Sequence, residues 1–303
     1  MSLVARFVGI TIVVLMTLSP AFAQQRQTLG VGTVITNDFP DNDRWRTGSY
    51  ALSFIRGPEW QGQLTPHLGD VVEYRFRGEA ISPDNLQNPS PSDRLYAGIL
   101  SFGAHLHFDF HGYDVTAGAD LIAVGEQTRI DEFQSALHDV VGLQQINIDN
   151  FQIHNAFYLH GTLEVARDLQ FSRGSVRPFV ELQVGAEDMI RAGVDVTIGG
   201  FGDGGLRVRD VVSGQRVNAI NGLEGKDFSF LLGGDVAYVD SSKYLPEERG
   251  YQVEDTRYRL RFGINYRLRN DANIFYGATY LSEEFVGQPE GQFVGSLSIG
   301  WIF

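Results

Sequence analysis

The chain has 303 residues, a formal net charge of −13, no cysteine, 35 glycines, 21 phenylalanines and 12 tyrosines. The missing thiols exclude disulfides and thiolate metal sites, and the acidic balance argues against a nucleic-acid partner. Abundant glycine and aromatic residues suit twisted strands with interfacial girdles, and acidic loops on such a protein call for nearby cations, divalent ones among them.

The N-terminus reads as a secretory signal. Arg6 supplies positive charge, Phe7 to Leu18 form an apolar run, and Ala21-Phe22-Ala23 offers a small-x-small cleavage site before Gln24. The run is shorter than the ~20 residues a spanning helix needs, and no stop-transfer segment follows. The expected organisation is a signal peptide over 1–23 and one β-barrel domain over 24–303, exported to the bacterial outer membrane.

Period-two alternation predicts strands near 29–37, 47–56, 69–78, 94–110, 112–124, 157–169, 174–186, 189–200, 228–240, 251–268, 270–282 and 291–303. That is about twelve, an even number as single-chain bacterial barrels have. The clearest strand sets Tyr258, Leu260, Phe262, Ile264, Tyr266 and Leu268 on one face. Arg257, Arg259, Arg261, Asn265, Arg267 and Arg269 fall on the other. A soluble sandwich alternates too, but would bury the apolar face. Long strands, aromatics at strand ends and a last apolar strand closing on Phe303 favour an all-β, transmembrane, antiparallel up-and-down barrel. Arg257, Arg259, Arg261 and Arg267 are then expected inside, paired with carboxylates such as Asp235 and Glu181, because unpaired charge there is costly. So narrow a lumen, filled by such side chains, disfavours a porin.

With both termini periplasmic, the outer loops fall near 38–46, 79–93, 125–156, 187–188, 241–250 and 283–290, and tight turns at His111-Gly112 and Asn270-Asp271 fall inside. The Gly-rich stretch from Phe201 to Asp227 lands on the periplasmic side, where its length is unexpected; a plug in the lumen is one reading. Strand parity brings three segments to one rim: N-D-F-P-D-N-D-R-W-R-T-G from Asn37, P-S-D-R-L-Y-A-G from Pro91, and F-Q-S-A-L-H-D-V-V-G from Phe133. The third reads as a short helix ended by Gly142.

Together with L-T-P at Leu64 to Pro66, these segments resemble the lipid A 3′-O-deacylase family (LpxR type) of Gram-negative outer membranes. The family's N-D pair, D-R-x-x-T-x-G, T-P, D-R-x-x-x-G and H-x-x-x-G appear here in order. They are Asn37-Asp38, Asp43-Arg44 with Thr47, Thr65-Pro66, Asp93-Arg94 with Gly98, and His138 with Gly142. The resemblance implies a twelve-stranded barrel that removes the 3′ acyloxyacyl chain of lipid A with calcium, in a manner similar to secreted phospholipase A2, and the chain is expected to be a monomer. His138 would be the general base, Asn37 and Asp38 would supply hard oxygen ligands to Ca2+, and Thr47 would orient the water or the site. Its partners would be lipopolysaccharide and the outer-membrane bilayer.

Blander readings stand beside these. Asn37-Asp38 ahead of Pro40 and Asp41 also reads as a capped turn, and Asp43-Arg44 and Asp93-Arg94 read as structural ion pairs of the lumen. His105 and His107 share a face with Ser101 and Gly103 and are expected to point inward. Gln144 stands where the family has an acidic residue, and no basic residue follows T-P, so Asp131, Glu132 or Asp139 become substitute oxygens. The alternative function is a non-catalytic barrel that keeps the scaffold. A Ser-His phospholipase site is disfavoured, since no histidine has serine two residues later.

Overall fold

A computed structural model describes residues 26–38, 43–142, 146–148, 151–222, 228–267 and 272–301. The signal peptide, its cleavage site before Gln24, Pro40, Asp41, Gln144, the Asn270-Asp271 turn and Phe303 lie outside the described residues.

In chain order the strands are β1 (Gln27–Asp38), β2 (Trp45–Gly57), β3 (Val71–Ser82), β4 (Ala97–Phe110), β5 (Tyr113–Val124), β6 (Ala156–Ala166), β7 (Leu169–Phe171), β8 (Gly174–Val184), β9 (Glu187–Gly199), β10 (Leu206–Arg209), β11 (Arg216–Ile220), β12 (Phe228–Ser242), β13 (Thr256–Arg267), β14 (Ala272–Leu281) and β15 (Gln292–Trp301). One α-helix, α1 (Ile130–Val141), lies between β5 and β6. Each wall strand pairs antiparallel with its neighbours, and the β1–β15 and β6–β8 pairings close the ring at twelve strands. The short β7 only extends the β8 edge, and β10–β11 form a separate hairpin. Among the described residues no helix is long and apolar enough to cross a membrane. The crossing is made by strands of ten to fifteen residues, which at ~3.3 Å per residue and a steep tilt span a hydrocarbon core.

Burial separates barrel from sandwich. On β13, Tyr258, Leu260 and Phe262 are 42%, 59% and 44% exposed, while Arg257, Arg259 and Arg261 are 8%, 5% and 6% exposed. Apolar side chains outside and guanidinium groups inside suit a molecule whose outer solvent is lipid. The buried cations are paired. Asp235 accepts from Arg259 Nε at 3.0 Å and from Arg261, and faces Arg191 Nε at 3.1 Å. Asp195 takes Arg261 and Arg209 at 2.7 and 2.8 Å, and Arg257 meets Glu187 at 2.9 Å. Two expected partners differ. Glu181 pairs with Arg191 across the β8–β9 ladder, at 3.0 Å. Arg267 lies over the Phe201 ring at 5.6 Å, and no carboxylate pairs with it among the described residues. His105 and His107 do point inward, to Asp120 at 3.2 Å and Glu73 at 2.8 Å.

The stretch after β9 folds back into the lumen. Leu206, Val208, Val217, Ala219 and Ile220 of the hairpin pack against the inward-facing Val34, Ala51, Ile55, Val71, Leu231 and Phe275 of the wall. Arg209 anchors the hairpin to Glu164 at 2.6 Å and Asp195 at 2.8 Å. Gln215 donates to the carbonyls of Phe262 and Ala278 at 3.0 and 3.2 Å. The hairpin passes so close to β1 that a Cβ on Gly30 would stand 2.0 Å from the Ala219 carbonyl oxygen. Gly30→Ala is therefore expected to cost about 1–3 kcal/mol, the usual range for overpacking. The heat-modifiable gel transition should move to lower temperature, whereas Ile35→Leu on the lipid face should leave it in place.

Candidate active site

At the outer rim the strand register builds a flat strip on the lipid-facing side of the wall. Asn37 pairs with Gly48, Gly48 with Ala80, and Ala80 with Gly98, so one row of small residues runs across β1 to β4. Helix α1 lies on that strip. A Cβ at Gly98 would stand 2.5 Å from Thr128 Oγ1 and 3.0 Å from Ile130 Cβ, and one at Gly78 3.8 Å from Ile130 Cδ1. Glycine is needed at Gly98 because the chain entering the helix touches the wall there.

The helix presents Ile130, Gln134 and His138 to the barrel, residues four apart and so on one face. Tyr96 donates its hydroxyl to Gln134 Oε1 at 2.9 Å. Burial first, then the charge of Asp131, push that phenol up, so it stays a donor. Arg129 at φ 56° enters the helix, and Gly142 at φ 75° ends it, its N–H donating to the His138 carbonyl. The left-handed Gly142 is the expected terminator. It fixes the last turn, which carries His138.

The loop from β1 to β2 delivers the partner of His138. Asp43 and Trp45 both have positive φ, 48° and 47°, a conformation bulky residues adopt only when surroundings enforce it. Trp45 is buried beside Leu245 and Phe285, and the β2–β3 register shifts between Trp45 and Gly48. Ser82 Oγ donates to the Asp43 carbonyl at 2.8 Å. So held, the Asp43 carboxylate accepts from Thr47 Oγ1 at 3.1 Å and faces His138 Nε2 at 3.3 Å. His138 is 4% exposed and Thr47 2% exposed. The structure thus joins His138 and Thr47 through Asp43.

This corrects the reading of Asp43-Arg44 as a lumen ion pair. Asp43 faces His138, whereas Arg44 reaches Glu290 at 2.6 Å and stacks over Trp45 at 4.7 Å. Asp93-Arg94 also splits: Asp93 accepts from the Arg94 N–H at 2.7 Å, while the buried Arg94 side chain pairs with Glu284. Burial alone would raise the Glu284 carboxyl, but Arg46, Arg94 and Arg257 hold it well below the usual carboxylate range.

Asn37 and Asp38 occupy opposite faces of β1. Asp38 is buried and accepts from the Arg44 backbone N–H at 3.3 Å. Asn37 faces outward, and a Cβ on Gly48 would stand 3.3 Å from its Oδ1, so the glycine leaves the amide room. Among the described residues no three His, Asp or Glu side chains gather closely enough to hold a metal. An ion here would be held by mixed oxygens, amide, carboxylate, hydroxyl and carbonyl, a hard set that suits calcium. Of the substitute oxygens, Asp131 accepts from Gln152 at 3.1 Å and Glu132 pairs with Arg129.

A sequence profile described as "Outer membrane protein LpxR" matches residues 10–303. The chain belongs to the LpxR family. Membership in this outer-membrane lipid A deacylase family gives the location and the substrate class of its members. Among solved structures, "LpxR from Salmonella typhimurium" superposes with a TM-score of 0.72 at 15% identity, covering 90% of this chain and 100% of that one. That likeness shows the LpxR barrel fold. A KdgM porin and a NanC porin follow at 6% and 7% identity, with TM-scores of 0.44 and coverage of 90% of this chain and 99% and 100% of theirs. No curated protein sequence matches.

Proposed function

We propose that this LpxR-family barrel hydrolyses the 3′ acyloxyacyl ester of lipid A in the outer leaflet, with His138 as general base. The observation that carries this reading is the buried His138–Asp43–Thr47 chain, held on the lipid-facing side of the rim. Held by Asp43, the His138 imidazole takes a proton from water as the oxygen attacks the ester carbonyl. Asp43 stabilises the imidazolium that forms and fixes its tautomer, as the third member of such a chain does. Thr47 holds the Asp43 carboxylate in place. The imidazolium then returns the proton to the departing sugar oxygen, leaving a free acid and an alcohol.

Calcium, when bound, would polarise the ester carbonyl and stabilise the developing oxyanion. Asn37 would hold it on the outward face, through the amide oxygen beside Gly48; Asp38, on the opposite face of β1 and beside Arg44, would join it only by turning its carboxylate over the end of the strand. Asp38→Ala tests this without recourse to turnover. Millimolar calcium should raise the unfolding temperature of the native barrel, and the rise should vanish in the variant. An equal rise in both proteins would remove Asp38 as a ligand. In activity, the same variant should need more calcium and be partly restored by excess.

A further inference from the structure

Helix α1 has three faces, and only one of them belongs to the site. At about 100° per residue, Ile130, Gln134 and His138 share the side turned to the barrel. Ser135 falls to one flank of it, Asp139 and Glu132 lie toward the side away from the wall, and Phe133, Leu137 and Val140 fall to the other flank. The three apolar side chains cover an arc of about 60° with no charge among them, and they are 68%, 49% and 84% exposed. The wall contact therefore sits between a polar flank and an apolar flank. A helix merely resting on a soluble surface would carry polar residues on both flanks and not an exposed apolar stripe on one of them.

The direction of the helix gives this meaning. Ile130 lies at Gly78 and Gly98 on β3 and β4, while His138 meets Asp43 in the β1–β2 loop. The helix thus runs across the strands, along the rim, and the ~12 Å between those two residues matches roughly two to three strand spacings. One outward position further from the rim than Gly78 and Leu100 comes the cross-strand pair Phe76 and Phe102, 40% and 59% exposed. Those rings open the apolar band of the barrel wall, so the strip under α1 is continuous with the lipid-facing surface.

We infer that α1 is an interfacial helix: Phe133, Leu137 and Val140 dock into the acyl chains of the outer leaflet while Glu132, Ser135 and Asp139 meet water. Wall, lipid and water each take one face, the division expected of an amphipathic helix lying at a bilayer boundary. The docking holds the residue between the two flanks, His138, at the depth where acyl esters lie. The membrane position of the helix is independent of whether His138 turns over substrate.

The chain has no cysteine, so single labels report cleanly. Phe133→Cys, Leu137→Cys, Val140→Cys and Glu132→Cys, each carrying a nitroxide, are reconstituted in phosphatidylethanolamine–phosphatidylglycerol vesicles. Heat-modifiable mobility verifies the fold of each. At the first three sites collisions with oxygen should exceed those with a water-soluble nickel chelate, and at Glu132→Cys the order should reverse. Nickel dominating at all four sites would place the helix in water and overturn the inference. Dipolar broadening that disappears on dilution with unlabelled protein would mean that a second copy covers the stripe, and would overturn it equally. Should Leu137→Cys misfold, Val140→Cys alone decides, its side chain being almost fully exposed.

Discussion

His138→Ala is expected to abolish lipid A deacylation while leaving a barrel of normal heat-modifiable mobility. A general base contributes typically ~10²–10⁴-fold to turnover, and no other described side chain stands where it could replace the imidazole against Asp43. The loss should appear in kcat, since His138 meets the reacting water and not the acyl chains. Asp43→Asn should be milder. It keeps an oxygen for Thr47 but withdraws the charge that stabilises the imidazolium, so turnover falls with little change in KM. Equal activity of His138→Ala and the native protein in purified, folded samples would exclude His138 as the base.

The second large effect belongs to the lumen. Asp235 is 8% exposed and faces Arg191, Arg259 and Arg261 at once. Among the described residues, removing it takes the one carboxylate from Arg259 and leaves Arg191 and Arg261 with only Glu181 and Asp195, and breaking a buried pair by deleting one partner costs about 3–5 kcal/mol. Asp235→Ala should therefore lower the unfolding temperature sharply, with Asp235→Asn intermediate because an amide still accepts one hydrogen bond. Glu132→Ala provides the contrast: its pair with Arg129 is solvent-exposed, and such pairs are worth about 0–1 kcal/mol. A native-like melting curve for Asp235→Ala would mean that Asp195 and Glu181 carry the network without it.

The wall was legible because a strand writes its two faces into alternate residues. Tyr258-Arg259-Leu260-Arg261 states both the lipid and the lumen side, and the structure repeats that division through β13. The interior hairpin was legible only as an anomaly. β10 and β11 are four and five residues long, too short for a period to stand out among the surrounding glycines, although Leu206-Arg207-Val208-Arg209 does alternate. The sequence also carried the short helix around His138, closed by Gly142. It hid Asp43 for a conformational reason. Neighbouring charges of opposite sign suggest a local ion pair, and nothing in the letters D-N-D-R-W announces that Asp43 and Trp45 adopt positive φ and turn the carboxylate to the helix. Glu284, which gathers Arg46, Arg94 and Arg257 at the rim, was hidden likewise, because its partners lie far along the chain.

The most direct test of the central claim is mass spectrometry of lipid A from cells making the native protein or His138→Ala, with millimolar calcium and verified folding in both. Native protein should yield lipid A lighter by one acyloxyacyl chain at the 3′ position, and the variant should yield the parent mass. Parent mass from the native protein as well would contradict the hydrolase and leave a non-catalytic barrel built on the LpxR scaffold.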